Sequence, residues 1–151
     1  MDYDGGKMRE NYRIADQLRR AVYGEAWHGD AVLELLAGVT PEQAASRPPG
    51  GNHSIEELTI HIAAWMEAAN RRLHGDPALL LGDDDWPPAE AWAASRERLQ
   101  AACEELLTSI QKADLDAAVP GKPYDVYFLL HGVIQHTLYH AGQIAVVKRL
   151  V

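Results

Sequence analysis

Residues 131–142 read HGVIQHTLYHAG and place three histidines in a largely apolar segment. Because a helix advances about 100° per residue, His136 and His140 lie about 40° apart on one face, one turn from each other. Leu129, Val133 and Val147 share that face, which is therefore expected to face the core. Two imidazoles buried there need compensation, since an unpaired buried polar group costs about 1 to 3 kcal/mol.

A metal ion is one way to satisfy both histidines. An i, i+4 histidine pair on a helix can present two nitrogens to a cation at about 2.0 to 2.1 Å. Hydrogen-bonded core histidines are the alternative, and the pair alone does not exclude them. His131 lies about 140° from His136 around the helix, so it cannot readily join the same site. We expect His131 to have a structural or interfacial role.

The opposite side of this helix is apolar as well. Leu130, Ile134 and Leu138 lie near His131, and a helix that is apolar on both sides must bury both. The core of the protein would cover one side, and a second subunit could cover the other. The sequence therefore predicts a homodimer, with complete burial inside one chain as the alternative.

Helical periodicity continues outward from this segment along the chain. Helices are predicted over residues 8–26, 31–39, 54–73, 89–111 and from 126 nearly to 151, with WHGD at 27–30 as an interruption. A capping box at Ser54 and a capping carboxylate at Asp125 mark two of these starts, and a capping box at Thr40, with a proline after it, marks a further helix start. No segment alternates as a strand would. We expect an all-α four-helix bundle that forms a single domain over residues 1–151.

The second long helix offers a third ligand in HSIEELTIHIAAW, residues 53–65. His61 shares a side of that helix with Leu58 and Trp65, so it too borders an apolar face. Three imidazoles would leave a divalent ion with open positions, as in catalytic sites. Glu57, one turn earlier, could be a fourth ligand or a general base, but a role in the capping box that Ser54 begins is favoured.

Composition restricts the classes of function. The chain has 151 residues, is 47% hydrophobic and carries a net charge of −8, which disfavours nucleic acid as a partner. No apolar run approaches the roughly 20 residues of a membrane span, and the first residues do not resemble a signal peptide. The single cysteine, Cys103, fits a reducing compartment and a small buried hydrophobe, so a cytoplasmic protein is expected.

Other familiar centres are excluded by their missing motifs. Paired Glu-x-x-His motifs of carboxylate-bridged di-iron bundles do not occur in the sequence. A glycine-rich phosphate loop and a nucleophile elbow are lacking as well.

HSIEELTIHIAAW and HGVIQHTLYHAGQIAVVKR, with WHGDAVLELL after the first helix, resemble the DinB/YfiT-like superfamily of metalloenzymes. The resemblance covers essentially the whole chain. It implies a four-helix bundle, often dimeric, that holds a divalent metal on one histidine of the second helix and a His-x-x-x-His pair near the C-terminus. In this sequence these are His61, His136 and His140. The ion could be zinc, nickel, iron or copper, since imidazole suits all four.

The resemblance further implies chemistry with small thiols. Members of the superfamily include S-transferases and isomerases that use low-molecular-weight thiols, for which a metal keeps the thiol ionised. A metal-bound water would instead suggest hydrolysis. Gln143 and Tyr139 are candidates to orient a small-molecule substrate, or to pack and hydrogen-bond around the ligands. Trp65 and Trp27 are candidates for a pocket wall, or for the core.

Three readings of function remain open from the sequence. The first is a metal-dependent enzyme that transfers a small thiol, the second a metal- or ligand-binding protein without turnover, and the third a structural helical dimer. His28 and His53 lie in loops beside helix starts, where exposure or capping is expected. His74 lies at a helix end, where it interacts favourably with the helix dipole.

Overall fold

The computed structural model describes residues 4–51 and 53–151, and within these ranges the chain is helical without a strand. The four long helices are α1 (Asp4–Tyr23), α4 (Ile55–Leu73), α5 (Trp92–Ile110) and α6 (Val126–Val147). Two short helices, α2 (Val32–Leu36) and α3 (Pro41–Ala45), connect α1 to α4. A 3₁₀ turn, Gly82–Asp84, lies between α4 and α5. The predicted all-α four-helix bundle is confirmed.

Local capping determines where several helices begin. The side chains of Thr40 and Ser54 each accept a hydrogen bond from the backbone N–H of the third helical residue. That residue's side-chain oxygen accepts one from the backbone N–H of Thr40 or Ser54, so both predicted capping boxes are present. The Asp125 side chain caps α6 by accepting from the Phe128 backbone N–H. Three predicted helix starts are therefore confirmed to the residue.

Four of the predicted helix ranges differ from the structure. The first helix begins at Asp4 instead of residue 8, and the helix predicted over 31–39 is confined to α2, Val32–Leu36, because Ala37 is extended and Gly38 has a φ of +73°. α1 ends at Tyr23 instead of residue 26 because Gly24 has a φ of +151° and Glu25 a φ of +62°, which break the helical path. α5 begins at Trp92 instead of residue 89, since Ala91 is extended after two prolines. α6 ends at Val147, and the last residues form a turn.

The packing of α4 positions the candidate site. This helix packs against α5 and α6, while α1 packs against α5 and α6 from the other side. The stripe predicted for α1, namely Ile14, Leu18 and Val22, is buried, as are Leu99 and Leu106 of α5. This packing brings the middle of α4 against α6, which is where the histidines lie.

The second apolar side of α6 is partly covered within the chain. Leu130 is buried, whereas Ile134 and Leu138 are half-buried beside α1 and α2. The ring of His131 packs against Tyr127 at 4.4 Å between centroids. Burial inside one chain therefore accounts for Leu130, and the homodimer stays a prediction that analytical ultracentrifugation can test. Among the described helices, none combines the length and apolar character that crossing a membrane requires.

Candidate metal centre

Three histidines from two helices meet between α4 and α6. His61 lies in the middle of α4, and His136 and His140 lie on successive turns of α6. The Nε2 atom of His136 is 3.0 Å from Nε2 of His61 and 3.1 Å from Nε2 of His140. Within the described residues, these three form the group of potential ligands that could hold a metal ion. The fold thus brings together the residues that the sequence proposed.

Hydrogen bonds hold the Nδ1 atoms of two of the histidines in place. His61 Nδ1 lies 2.6 Å from the backbone carbonyl oxygen of Asp85, and His140 Nδ1 lies 2.6 Å from Oε1 of Gln143. Both oxygens are acceptors, so each Nδ1 must carry the proton and donate it. In a neutral imidazole the other nitrogen, Nε2, then presents a lone pair. These hydrogen bonds therefore aim the lone pairs of His61 and His140 at the same place.

The environment keeps these histidines neutral. Burial lowers the pKa of His136 to about 3, and the neighbouring His140 and His61 add to this effect. Burial also lowers the pKa of His61 and of His140, although the Asp85 carbonyl and Gln143 oppose it in part. Neutral imidazole is the form that binds metals.

Protein atoms alone do not satisfy this arrangement. His61 and His140 both present Nε2 as an acceptor to His136, whose Nε2 carries at most one proton when the ring is neutral. One N–H cannot fully serve two acceptors that lie at 3.0 and 3.1 Å. A cation between the three nitrogens would satisfy all of them.

The nitrogen spacing fits a metal ion. If each Nε2 is about 2.0 to 2.1 Å from the ion, neighbouring nitrogens lie about 2.9 Å apart at right angles and about 3.4 Å apart at tetrahedral angles. The observed separations of 3.0 and 3.1 Å fall between these values. The donor set is all nitrogen, with no cysteine and no carboxylate within the group.

An aromatic side chain covers His61. The indole of Trp86 is stacked on the His61 ring, with 3.8 Å between centroids and 6° between planes. The His53 ring is stacked on Trp86 in turn, at 3.6 Å and 7°. Exposure or capping, which was expected for His53, is therefore wrong: its half-buried ring is the outer layer of this stack.

Asp85 and Trp86 are site residues that the sequence analysis missed. The 3₁₀ turn positions them, since the backbone N–H groups of both donate to the Gly82 carbonyl. The Asp85 carboxylate also accepts from Trp65 Nε1 at 2.8 Å, which ties the loop to α4. The sequence did show an acidic and an aromatic residue together in the GDDDWPP turn. Because the turn has no helical periodicity, the sequence could not predict which way their side chains point.

Trp65 lies beside the histidines and lines an apolar cavity. Its ring centroid lies 5.3 Å from that of His136 and 6.4 Å from that of His61. The cavity, with a volume of about 220 Å³, is lined by Trp65 and His136 together with residues of α6. The structure therefore places Trp65 where a pocket wall was expected.

The other candidates of the sequence analysis fall in different places. Gln143 contacts His140 through the hydrogen bond described above, and Tyr139 is exposed with its ring edge-on to His140 at 5.1 Å. The Glu57 carboxylate accepts a hydrogen bond from the Ser54 backbone N–H at 2.8 Å and pairs with Arg47. The capping role favoured for Glu57 is confirmed.

Trp27 is not brought to the histidines. It is fully exposed and lines a groove with Ile134 and Leu138, on the side of α6 that faces away from His136. Burial of Trp27 in the core, the alternative expected from the sequence, is therefore wrong, since α1 ends at Tyr23 and Trp27 lies in the turn that follows. A role for Trp27 as a pocket wall stays a prediction. His28 is exposed, as expected.

His74 caps the C-terminal end of α4, where its Nδ1 lies 2.8 Å from the Asn70 carbonyl oxygen. This position agrees with the one predicted from the sequence. Cys103 is fully buried, and burial raises the pKa of its thiol to about 12. The thiol is therefore an inert part of the core, as its place in the helical pattern predicted.

Comparison with known proteins identifies the family of the chain. The family model of the DinB superfamily matches residues 26–144, a range that includes all three histidines and most of the bundle. No curated protein and no solved structure matches the chain. Since the match spans well over half of the sequence, the chain belongs to the DinB superfamily.

Proposed function

We propose that His61, His136 and His140 bind one divalent metal ion, and that the protein is a metal-dependent enzyme acting with a small thiol. The observation that carries the proposal is the convergence of three Nε2 atoms at 3.0 and 3.1 Å, which hydrogen bonds alone do not satisfy. Three protein ligands leave positions open for an exchangeable group, as in catalytic sites. When bound, the ion would act as a Lewis acid and favour the ionised form of a thiol.

The chain's own residues would prepare the site. Asp85 and Gln143 hold the imidazoles of His61 and His140 in the orientation and tautomer that ligation needs. Trp86 covers one face of His61 and restricts water on that side. The cavity beside Trp65 and His136 offers space for the body of an electrophilic substrate.

The reacting thiol must come from outside the chain. Cys103 is the single cysteine, and its buried, protonated sulfur cannot serve as a nucleophile. In the proposed transfer, the electron pair of the external sulfur forms a bond to an electrophilic carbon. The leaving group departs with its bonding pair, and the thiol proton passes to solvent. The resemblance of the sequence to superfamily members that use small thiols supports this choice over hydrolysis.

Metal content is the first test. We would measure it by elemental analysis of protein purified without an affinity tag, after reconstitution with Zn²⁺, Ni²⁺ or Fe²⁺. About one ion per chain is expected for the wild type, and loss of the ion is expected in His61→Ala and His136→Ala. His28→Ala and His74→Ala change exposed histidines and should retain the ion. A wild type that takes up none of these metals would exclude the proposed centre.

Activity is the second test. The metal-loaded protein would be incubated with a panel of small thiols and electrophiles, and the loss of free thiol measured with a colorimetric reagent. We expect consumption that depends on the metal, is lost in His136→Ala and persists in Cys103→Ala. Metal binding without consumption across the panel would instead favour a binding protein.

A further inference from the structure

Arg72 is a charged side chain buried at the wall of the cavity beside the histidines. It lies in the last turn of α4 and is only 4% exposed. A basic residue at this position of a helix usually reaches the solvent, where it interacts favourably with the helix dipole. The burial of Arg72 therefore calls for a reason.

The contacts of Arg72 leave its charge without an ionic partner. Nε and Nη2 both donate to the carbonyl oxygen of Ala78, at 3.2 and 2.7 Å. The guanidinium also lies over the Trp65 ring, 5.5 Å from its centroid. Within residues 4–51 and 53–151, no carboxylate forms a salt bridge with Arg72, and its Nη1 donates no hydrogen bond.

A buried charge without a counter-ion is costly, because desolvation is only partly offset by one carbonyl and a cation–π contact. The half-buried Arg98 shows how such a charge is usually compensated in a protein. Arg98 pairs with Glu67 through two hydrogen bonds, at 2.8 and 2.9 Å. Arg72 has no such protein partner, although it lines a cavity that a ligand could enter.

The cavity is suited to a small apolar body. Its volume is about 220 Å³, and its wall is formed by Trp65, Tyr124 and four residues of α6, Gly132 among them, in addition to Arg72 and His136. An apolar cavity of about 150 Å³ holds benzene, so this one has room for a six-membered ring with a small substituent. Arg72 is the cationic side chain of this wall, so it can balance one negative charge on a ligand.

We propose that this cavity binds a small organic monocarboxylate, with the carboxylate on Nη1 of Arg72, the apolar body against Trp65, and the far end beside His136. The role of this cavity as a substrate site rests on the proposed function, since His136 is one of the proposed metal ligands. It names the class of electrophile as an unsaturated or aromatic acid about the size of benzoate that carries a leaving group on the carbon that the thiol attacks. Binding of the carboxylate itself requires only Arg72 and the cavity.

The test compares benzoate with benzyl alcohol, which has a similar shape and no charge. Binding to the full chain would be measured by isothermal titration calorimetry, with and without bound metal, so that direct ligation of the carboxylate to the ion is recognised. We expect the metal-free protein to bind benzoate at least about tenfold more tightly than benzyl alcohol, because hydrogen bonds to a charged group are strong. Arg72→Gln should remove this preference. Equal binding of the two probes, or an unchanged preference in Arg72→Gln, would show that Arg72 only anchors the loop at Ala78.

A second variant guards against misfolding of Arg72→Gln. A Cβ added at Gly132 meets no atom within 4 Å, so Gly132→Ala should fold normally, and Gly132→Leu should fill the cavity without touching the hydrogen bonds of Arg72. Gly132→Leu is expected to abolish benzoate binding, and Gly132→Ala to retain most of it. Benzoate binding that persists in Gly132→Leu would overturn the proposal.

Metal content measured in the same samples separates the two proposals. Bound metal without a benzoate preference removes the carboxylate site and leaves the metal centre intact. A benzoate preference in protein that takes up no metal supports the carboxylate site and removes the metal centre.

Discussion

The indole of Trp86 lies face to face with the imidazole of His61, with 3.8 Å between ring centroids and 6° between planes. Trp86 belongs to an irregular loop, whereas His61 belongs to α4. The stack therefore couples the loop to the candidate metal centre. It restricts rotation of the His61 ring and removes one of its faces from water.

Replacing Trp86 should weaken the proposed metal site. In Trp86→Ala, His61 loses its stacking partner, so we expect metal affinity to fall by about tenfold or more, the size of effect seen for groups that support metal ligands. Trp86→Phe keeps an aromatic face and should lose less. Affinity would be measured by competition with a chromogenic chelator.

Trp27→Ala is the matched control. Trp27 is fully exposed and lies beside the face of α6 that points away from His136, so its replacement should leave metal affinity unchanged. Wild-type affinity in Trp86→Ala would mean that the stack has no influence on the ligands.

Gln143 is expected to act through His140. Its side-chain oxygen accepts from His140 Nδ1 at 2.6 Å, which fixes the tautomer that presents Nε2 to the metal. Gln143→Leu removes the acceptor, and we expect metal affinity to decrease by about 10- to 100-fold. Gln143→Glu retains an acceptor and should keep affinity near that of the wild type.

Gln135→Leu is the control for the Gln143 series, because Gln135 is an exposed glutamine of the same helix. The same chelator competition applies. A Gln143→Leu protein that binds metal as tightly as Gln135→Leu would argue against a tautomer lock.

Variants of Glu57 test whether this carboxylate, one turn before His61, binds the metal. In the structure Glu57 Oε2 accepts from the Ser54 backbone N–H, so its role is to cap α4. Glu57→Gln preserves the capping pattern, and we expect unchanged metal content with little loss of stability. Glu57→Ala should lower the free energy of unfolding by about 1 kcal/mol and still bind metal.

Urea unfolding gives the stability of each Glu57 variant, and elemental analysis gives its metal content. Loss of the metal in Glu57→Gln would identify this carboxylate as a ligand after all.

Sequence patterns predicted those features that depend on residues close together in the chain. The capping boxes at Thr40 and Ser54 and the cap at Asp125 are local, and they determine helix starts directly. The i, i+4 spacing likewise places His136 and His140 on one face in any helix. His61 was predictable only as a residue of an apolar face, because its meeting with α6 depends on how α4 packs.

The loop over the histidines could not be predicted in this way. Asp85 and Trp86 lie about 24 residues beyond His61 in an irregular segment, and their position depends on the 3₁₀ turn and on the hydrogen bond to Trp65. Arg72 was missed for a related reason. A charged residue in the last turn of a helix is normally exposed, and only the packing of the 74–91 segment and α6 buries it.

The lowered histidine pKa values predict that the metal-free protein loses stability in acid. An unfolded histidine has a pKa near 6.5, whereas burial lowers the pKa of His136 to about 3 and lowers those of His61 and His140. Between these values the unfolded chain binds more protons than the folded chain, so the free energy of unfolding rises with pH and falls as pH decreases. Each histidine contributes a slope of up to about 1.4 kcal/mol per pH unit.

Urea unfolding of metal-free protein at pH 7.5, 6.5, 5.5 and 4.5 would measure this slope. We expect stability to be nearly constant above about pH 7 and to decrease below about pH 6.5. His136→Gln removes one of the titrating groups and should flatten the decrease, whereas His28→Gln changes an exposed histidine and should not. Bound metal should delay the loss to lower pH, since protons must then displace the ion from all three imidazoles. Parallel pH curves for His136→Gln and the wild type would show that His136 does not take up the proton on unfolding, and the assignment of a neutral, ligand-ready histidine at this position would fail.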